Sequence, residues 1–217
     1  KTNENKFSLC RKNGLIYLFN GEYWEHIDND LFKDFLGLVA LKTGVNKFDA
    51  KLHIFKDELL KQFISDARLK EISNNNTTTL INLKNGTFEI NENFQRLREF
   101  RKGDFLTYQL PFEYNPNAQA PDFCNFLSEV LPEKELQEIL AEYLGYIFIK
   151  NGVLKLEKVL LLYGTGANGK SVLFEIISAL LGKNNITNYS LQSLTKQDGY
   201  QRAMIADKLL NCKVRCN

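Results

Sequence analysis

Eight consecutive residues carry the clearest chemistry in this sequence. Gly164-Thr165-Gly166-Ala167-Asn168-Gly169-Lys170-Ser171 has the form G-x-x-x-x-G-K-[ST], the spacing of a phosphate-binding loop. Glycines at 164, 166 and 169 let the backbone fold tightly and turn several N–H groups toward one point. That point falls at a helix N-terminus, where partial positive charge favours phosphate oxygens. The Lys170 ammonium has the reach for the β and γ phosphates of a nucleoside triphosphate, and the Ser171 hydroxyl is suited to hold Mg²⁺. Asn168 is expected at the crown of the loop, near the γ phosphate. All eight residues are therefore candidate nucleotide contacts, with Lys170 as the catalytic cation and Ser171 as the metal ligand.

The loop needs a strand before it and a helix after it. Lys158-Val159-Leu160-Leu161-Leu162-Tyr163 is a short apolar run that predicts a buried strand. Val172, Leu173, Ile176, Ile177 and Leu180 share one helical face, and Gly182 stands where a helix stop is expected. A glycine-rich turn that merely resembles the pattern is the alternative, and the flanking strand and helix argue against it.

Upstream, Asn20-Gly21 predicts a two-residue turn joining residues 15–19 to residues 22–27 as a β-hairpin. Asp30 is the expected cap of a helix with Leu31, Phe32, Phe35, Leu36 and Val39 inward and Gly44 as its stop. Leu59, Leu60, Phe63, Ile64 and Ala67 predict a second helix, and a winged-helix-like unit is one reading of the set. The polar stretch 73–79 reads as a loop. A second Asn-Gly turn is expected at Asn85-Gly86, between residues 80–83 and 87–90. The basic stretch Arg96-Leu97-Arg98-Glu99-Phe100-Arg101-Lys102 is either a solvated strand face or a phosphate-backbone contact, and the first reading is favoured. Pro111, Pro116 and Pro121 predict a connector that breaks regular structure. From Glu133, a stripe of Leu136, Ile139, Leu140, Tyr143, Leu144, Ile147 and Phe148 predicts a core helix whose acids face water.

Composition excludes several classes. The 217 residues are 44% hydrophobic and 25% charged with a net charge of +2, a globular balance that does not by itself argue for a nucleic-acid or membrane partner. Apolar runs are too short to cross a bilayer. Cys10, Cys124, Cys212 and Cys216 form no CxxC pair, and only His26 and His53 could add nitrogen ligands. Reduced thiols in an intracellular protein are expected rather than a zinc site. Residues 155–217 hold nine Lys or Arg against four acids, a basic balance that suits a nucleotide and DNA side or a plain solvated surface. The chain starts at Lys1, which suggests a piece of something longer.

Four further segments occur in a recognisable order: Ile81-Asn82-Leu83-Lys84-Asn85-Gly86-Thr87-Phe88, Leu110-Pro111-Phe112-Glu113-Tyr114-Asn115-Pro116-Asn117-Ala118, Phe126-Leu127, and Tyr143-Leu144-Gly145-Tyr146. With the Gly-Ala-Asn-Gly-Lys-Ser loop they resemble the phage and plasmid primase-helicases. These are relatives of the poxvirus primase-helicase within helicase superfamily 3, and the resemblance covers residues 10–212. It implies an α/β P-loop core of AAA+-like type, incomplete at its C-terminus, behind a mixed α+β helicase-associated domain. The implied division is an N-terminal α+β region at 1–72, a helicase-associated domain at 73–150, and the start of the ATPase domain at 151–217. It also implies ATP and Mg²⁺ as cofactors, single-stranded or forked DNA as partner, a homo-hexamer in the full-length protein, and a primase domain or partner. No membrane partner is implied. The expected setting is the host-cell cytoplasm, with a phage, virus or plasmid as the encoding element.

The resemblance also implies a strand ending in a catalytic carboxylate after residues 206–208. Leu209-Leu210-Asn211-Cys212 begins as that strand should, but Lys213 follows and no acid stands at its end. Asp198 and Asp207 are the nearby acids, and neither follows an apolar strand. Sensor residues, an arginine finger and a DNA-gripping pore loop are expected only beyond residue 217. This chain by itself is thus expected to bind nucleotide rather than turn it over. Three other readings stay open: a nucleotide-binding module without turnover, a DNA or protein adaptor in the first 100 residues, and a small-molecule kinase.

Overall fold

The computed structural model describes residues 8–12, 14–66, 78–149, 154, 156–164, 166, 168–196, 199–205 and 208–213. The chain divides into two compact units, one of residues 1–74 and 100–107, the other of residues 75–99 and 108–217.

The first unit is built on an antiparallel meander of β1 (Ser8–Lys12), β2 (Leu15–Phe19) and β3 (Trp24–Ile27), with β2 central. Side chains alternate between faces along each strand. Ile16 and Ile27 pack with Phe32, Leu36, Leu60, Phe63 and Ile64 of the helices. Cys10, Tyr17, Phe19 and Trp24 form a separate cluster with Phe105. The expected two-residue turn at Asn20-Gly21 is corrected: Phe19 pairs with Trp24, so four residues connect the strands. The Asn20 carboxamide accepts the N–H groups of Glu22 and Tyr23, both at 3.0 Å, and this side-chain turn takes over the role assigned to a glycine-based reversal. The strand β1, and its tight return to β2 between Lys12 and Leu15, were not expected.

Three helices follow the strands: α1 (Asn29–Lys42), α2 (Lys47–Lys51) and α3 (His53–Asp66). The cap of α1 is Asp28, not Asp30. Its carboxylate accepts from the Asp30 N–H at 2.9 Å and the Leu31 N–H at 3.4 Å, which leaves Asp30 in the first turn where its charge suits the helix dipole. Of the expected α1 stripe, Phe32 is buried and Leu36 packs beside it, whereas Leu31, Phe35 and Val39 are exposed. The inward face runs 32, 36, 40 instead. In α3, Leu60 is buried, and Ala67 lies outside the described residues. Lys33–Asp57 at 2.8 Å and Lys56–Asp34 at 2.7 Å link α1 to α3. The return segment 100–107 covers the other sheet face: Trp24 Nε1 donates to the Lys102 carbonyl at 2.8 Å, and the Trp24 N–H to the Leu106 carbonyl at 2.7 Å.

The second unit contains the antiparallel meander β4 (Thr79–Leu83), β5 (Gly86–Ile90) and β6 (Gln95–Arg98). Leu83 pairs with Gly86, so the turn residues are Lys84 and Asn85 rather than Asn85 and Gly86. The Asn85 carboxamide is engaged elsewhere, accepting the Tyr114 N–H at 2.9 Å and donating to the Tyr114 carbonyl at 3.0 Å. The basic stretch begins as β6. Arg96 pairs with Glu89 at 2.9 Å and Arg98 approaches it at 3.5 Å, so a carboxylate on the neighbouring strand occupies these cations. Pro121 starts a helix rather than breaking one: it is the first residue of α4 (Pro121–Val130), where the missing N–H costs nothing.

Next come α5 (Lys134–Tyr146) and α6 (Lys170–Leu181). The α5 stripe is only partly internal, with Leu140 buried and Leu136 and Ile139 exposed. One core joins Leu83, Leu110 and Leu140 to Leu173, Ile177 and Leu181 of α6. The strands β7 (Ile186–Thr187) and β8 (Leu210–Asn211) form a short parallel pair, with the helices α7 (Leu191–Leu194) and α8 (Tyr200–Met204) between them in sequence. Among the described residues, no helix is long and apolar enough to cross a membrane.

Candidate functional site

The helix end of the loop is well supported. Leu173, Ile177 and Leu181 recur every four residues on α6 and are buried, which fixes this helix against the unit's core. Its N-cap is Gly169, at φ +76° and ψ −3°, and no side chain caps the helix start. That left-handed conformation costs an L side chain about 1–2 kcal/mol. The space is closed as well: a Cβ at 169 would lie 2.6 Å from Val130 Cγ1 and 3.1 Å from the Phe126 ring. Two side chains of α4 thus pack directly under the turn into α6. Gly166 has φ +115° with open space around it.

Lys170 is the first residue of α6, and its ammonium folds back over the loop. It donates to the Gly164 carbonyl at 3.0 Å and to Asn168 Oδ1. Among the described residues it forms no ion pair with a carboxylate, so the positive charge remains uncompensated. Ser171 is exposed in the first turn. Thr165 and Ala167 lie outside the described residues. The structure therefore brings Gly164, Asn168, Gly169 and Lys170 together at a half-buried helix N-terminus. An uncapped helix start with an unpaired ammonium attracts anions chemically.

The strand end differs from the expectation. Residues 158–163 take no strand partner among the described residues, and Val159, Leu161 and Tyr163 are 76%, 82% and 91% exposed. Only Leu160 of this run packs on the core, and nearby backbone is held by tyrosines of α5. Tyr146 accepts the Leu156 N–H at 3.0 Å and donates to the Leu154 carbonyl at 3.1 Å. A short apolar run encodes a strand only when neighbouring strands complete its ladder, and here none does.

The expected carboxylate-bearing strand exists as β8, parallel to β7. Asn211 stands on it with its carboxamide fully engaged: Oδ1 accepts from the Thr187 hydroxyl at 3.0 Å and the Tyr189 N–H at 2.8 Å, and Nδ2 donates to the Tyr189 carbonyl at 2.9 Å. This is the chemistry of a structural clip. Asp198 and Asp207 lie outside the described residues.

Elsewhere, Cys10 is buried, Cys212 half-buried and Cys124 exposed, all as free thiols, and Cys216 is outside the described residues. Burial raises the Cys10 thiol to about 11, against the opposing pull of Lys12. Burial also raises the Tyr108 hydroxyl, which donates to the Leu80 carbonyl at 3.1 Å. Among the described residues, no three His, Cys, Asp or Glu side chains gather as a metal-binding group. Two contacts were missed by the sequence reading: Phe126 and Val130 under Gly169, and Asn168 over Gly164. Their only sequence signal is the small residue at each position, which does not name its neighbour.

Comparison with known proteins bears on the same residues. A family model described as D5 N terminal like matches residues 1–132, more than half of the chain. That match takes in β1 through α4 and stops before the loop. A protein of Invertebrate iridescent virus 3, named "Putative helicase 121R", is 28% identical over 127 residues. The alignment covers 54% of this chain and 13% of that protein's length.

Proposed function

The chain belongs to the D5 N-terminal-like family, and on that premise we propose that it is the N-terminal part of an ATP-dependent DNA helicase of the primase-helicase kind. Residues 164–171 bind a magnesium nucleoside triphosphate. The amides at the start of α6 and the Lys170 ammonium take the phosphate oxygens, and Ser171 takes the metal. In the longer protein this binding drives unwinding of single-stranded or forked DNA by a homo-hexamer of superfamily 3 type, in work shared with a primase region. The encoding element is a virus, phage or plasmid, a setting supported by the iridescent-virus relative.

One observation carries the nucleotide part. The Lys170 ammonium lies across the mouth of the loop, held by neutral oxygens alone, at the uncapped N-terminus of a packed helix. The test is titration of this 217-residue chain with ATP and Mg²⁺. Binding is expected, and Lys170→Ala should weaken it at least tenfold with unchanged thermal stability. Equal affinity in the variant would refute the assignment.

Binding without turnover by this chain is a second reading, favoured by Asn211. The strand position assigned to a catalytic acid bears a carboxamide already committed to Thr187 and Tyr189. It predicts no Lys170-dependent phosphate release from the isolated chain.

A further inference from the structure

Gly164 is the first glycine of the loop, yet its backbone does not take a positive φ, so conformation alone does not demand glycine there. What demands it is volume. A Cβ at 164 would lie 1.7 Å from Asn168 Nδ2, 3.0 Å from Asn168 Cγ and 3.2 Å from Lys170 Nζ. The Asn168 carboxamide therefore lies flat against the Gly164 Cα, in the space that a side chain would fill. From that position its Oδ1 accepts one proton of the Lys170 ammonium, while the Gly164 carbonyl accepts a second at 3.0 Å. An ammonium has three N–H donors. Two are fixed on opposite walls of the loop, and the third is left for a ligand.

We infer that Asn168 is a positioning residue, whose carboxamide fits the space over Gly164 and aims the Lys170 ammonium at the phosphate chain of a nucleoside triphosphate. This deepens the nucleotide reading and rests on it. Both acceptors are neutral, so they orient the charge without cancelling it. A carboxylate at 168 would orient Lys170 equally well but would neutralise it and repel phosphate. Without the carboxamide, the lysine stem regains rotamer freedom that nucleotide binding must then remove.

The experiment is calorimetric titration of the 217-residue chain with ATP and Mg²⁺, for wild type, Asn168→Ala, Asn168→Asp, Gly164→Ala and the double variant Gly164→Ala/Asn168→Ala, with thermal unfolding of each recorded alongside. Asn168→Ala should weaken binding about tenfold, as expected for one hydrogen bond to a charged group, and Asn168→Asp should weaken it further. Gly164→Ala displaces the carboxamide and should cost about as much as Asn168→Ala. In the double variant the two losses should not add, because the alanine methyl at 164 then enters space that the carboxamide has vacated. Additive losses would mean that Gly164 serves the backbone alone, and an unchanged affinity in Asn168→Ala would mean that the carboxamide does not position the lysine; either result overturns the inference while leaving the nucleotide reading intact. Wild type that fails to bind ATP overturns both.

Discussion

The turn into α6 allows a sharp quantitative test at Gly169. Replacing it with alanine places a methyl group on a residue at φ +76°, a conformation that costs an L residue about 1–2 kcal/mol. The same methyl meets Val130 Cγ1 at 2.6 Å and the Phe126 ring at 3.1 Å. Val130 is β-branched and cannot swing away as a long chain would, so overpacking adds about 1–3 kcal/mol. Together the expected loss is about 2–4 kcal/mol in urea-unfolding stability. The two contributions separate experimentally. Shortening Val130 to alanine in the same chain should recover the steric part and leave the conformational part. The double variant should therefore be more stable than the sum of single losses predicts by about 1 kcal/mol or more. If Gly169→Ala unfolds within about 0.5 kcal/mol of wild type, or the two substitutions add without coupling, then α4 does not brace this turn.

Other expectations follow from the packing. Asp28→Ala should destabilise by about 1 kcal/mol through loss of the α1 cap, whereas Asp30→Ala should cost clearly less, as read by chemical denaturation. Phe32 is 1% exposed, and Phe32→Ala should cost about 3–5 kcal/mol in the same assay. The buried Cys10 thiol titrates at about 11, above its range in the unfolded chain. Below about pH 9 both states are protonated and Cys10 adds no pH dependence; between about pH 9 and 11 the unfolded state alone ionises, so stability falls with pH by up to about 1.4 kcal/mol per pH unit. Cys10→Ala should remove that component of the slope in denaturation curves recorded across this range. In the native protein a maleimide should modify the exposed Cys124 well before Cys10.

Periodicity located the helices better than it chose their buried faces. In α1 and α5 apolar residues surround much of the helix, so the stripe 31, 35, 39 and the face 32, 36, 40 were equally legible, and packing against Ile16 selected the second. Turn chemistry misled at both Asn-Gly pairs for one physical reason: the asparagine side chain found a nearer backbone partner, Tyr23 in one case and Tyr114 in the other. The loop motif was fully visible because backbone conformation and charge are encoded residue by residue. The supports of the loop were not, since Phe126 and Val130 reach Gly169 from about forty residues away in sequence and only the folded chain brings them there.

The same contacts explain why the family match and the loop belong to one argument, although the match ends at residue 132. The inward residues of α6 share a core with Leu83 and Leu110, both inside the matched region. Phe126 and Val130, which shape the turn at Gly169, also lie inside it. The anion-binding end of α6 is therefore held by side chains that the family match covers. On the other side of the loop, residues 158–163 contribute one packed side chain, Leu160. Support for the loop is asymmetric: close steric contacts fix its helix end, and two hydrogen bonds from Lys170 tie its first glycine and Asn168 to that end. With a weak strand side, the lysine bridge is the link that closes the loop, so substitution of Lys170 should open the loop as well as remove a charge. Methionine at 170, which keeps much of the stem but cannot donate, should accordingly raise backbone amide exchange at Gly164 and Asn168 while leaving Leu173 to Leu181 protected. Unchanged exchange at Gly164 would show that the loop keeps its shape without the ammonium.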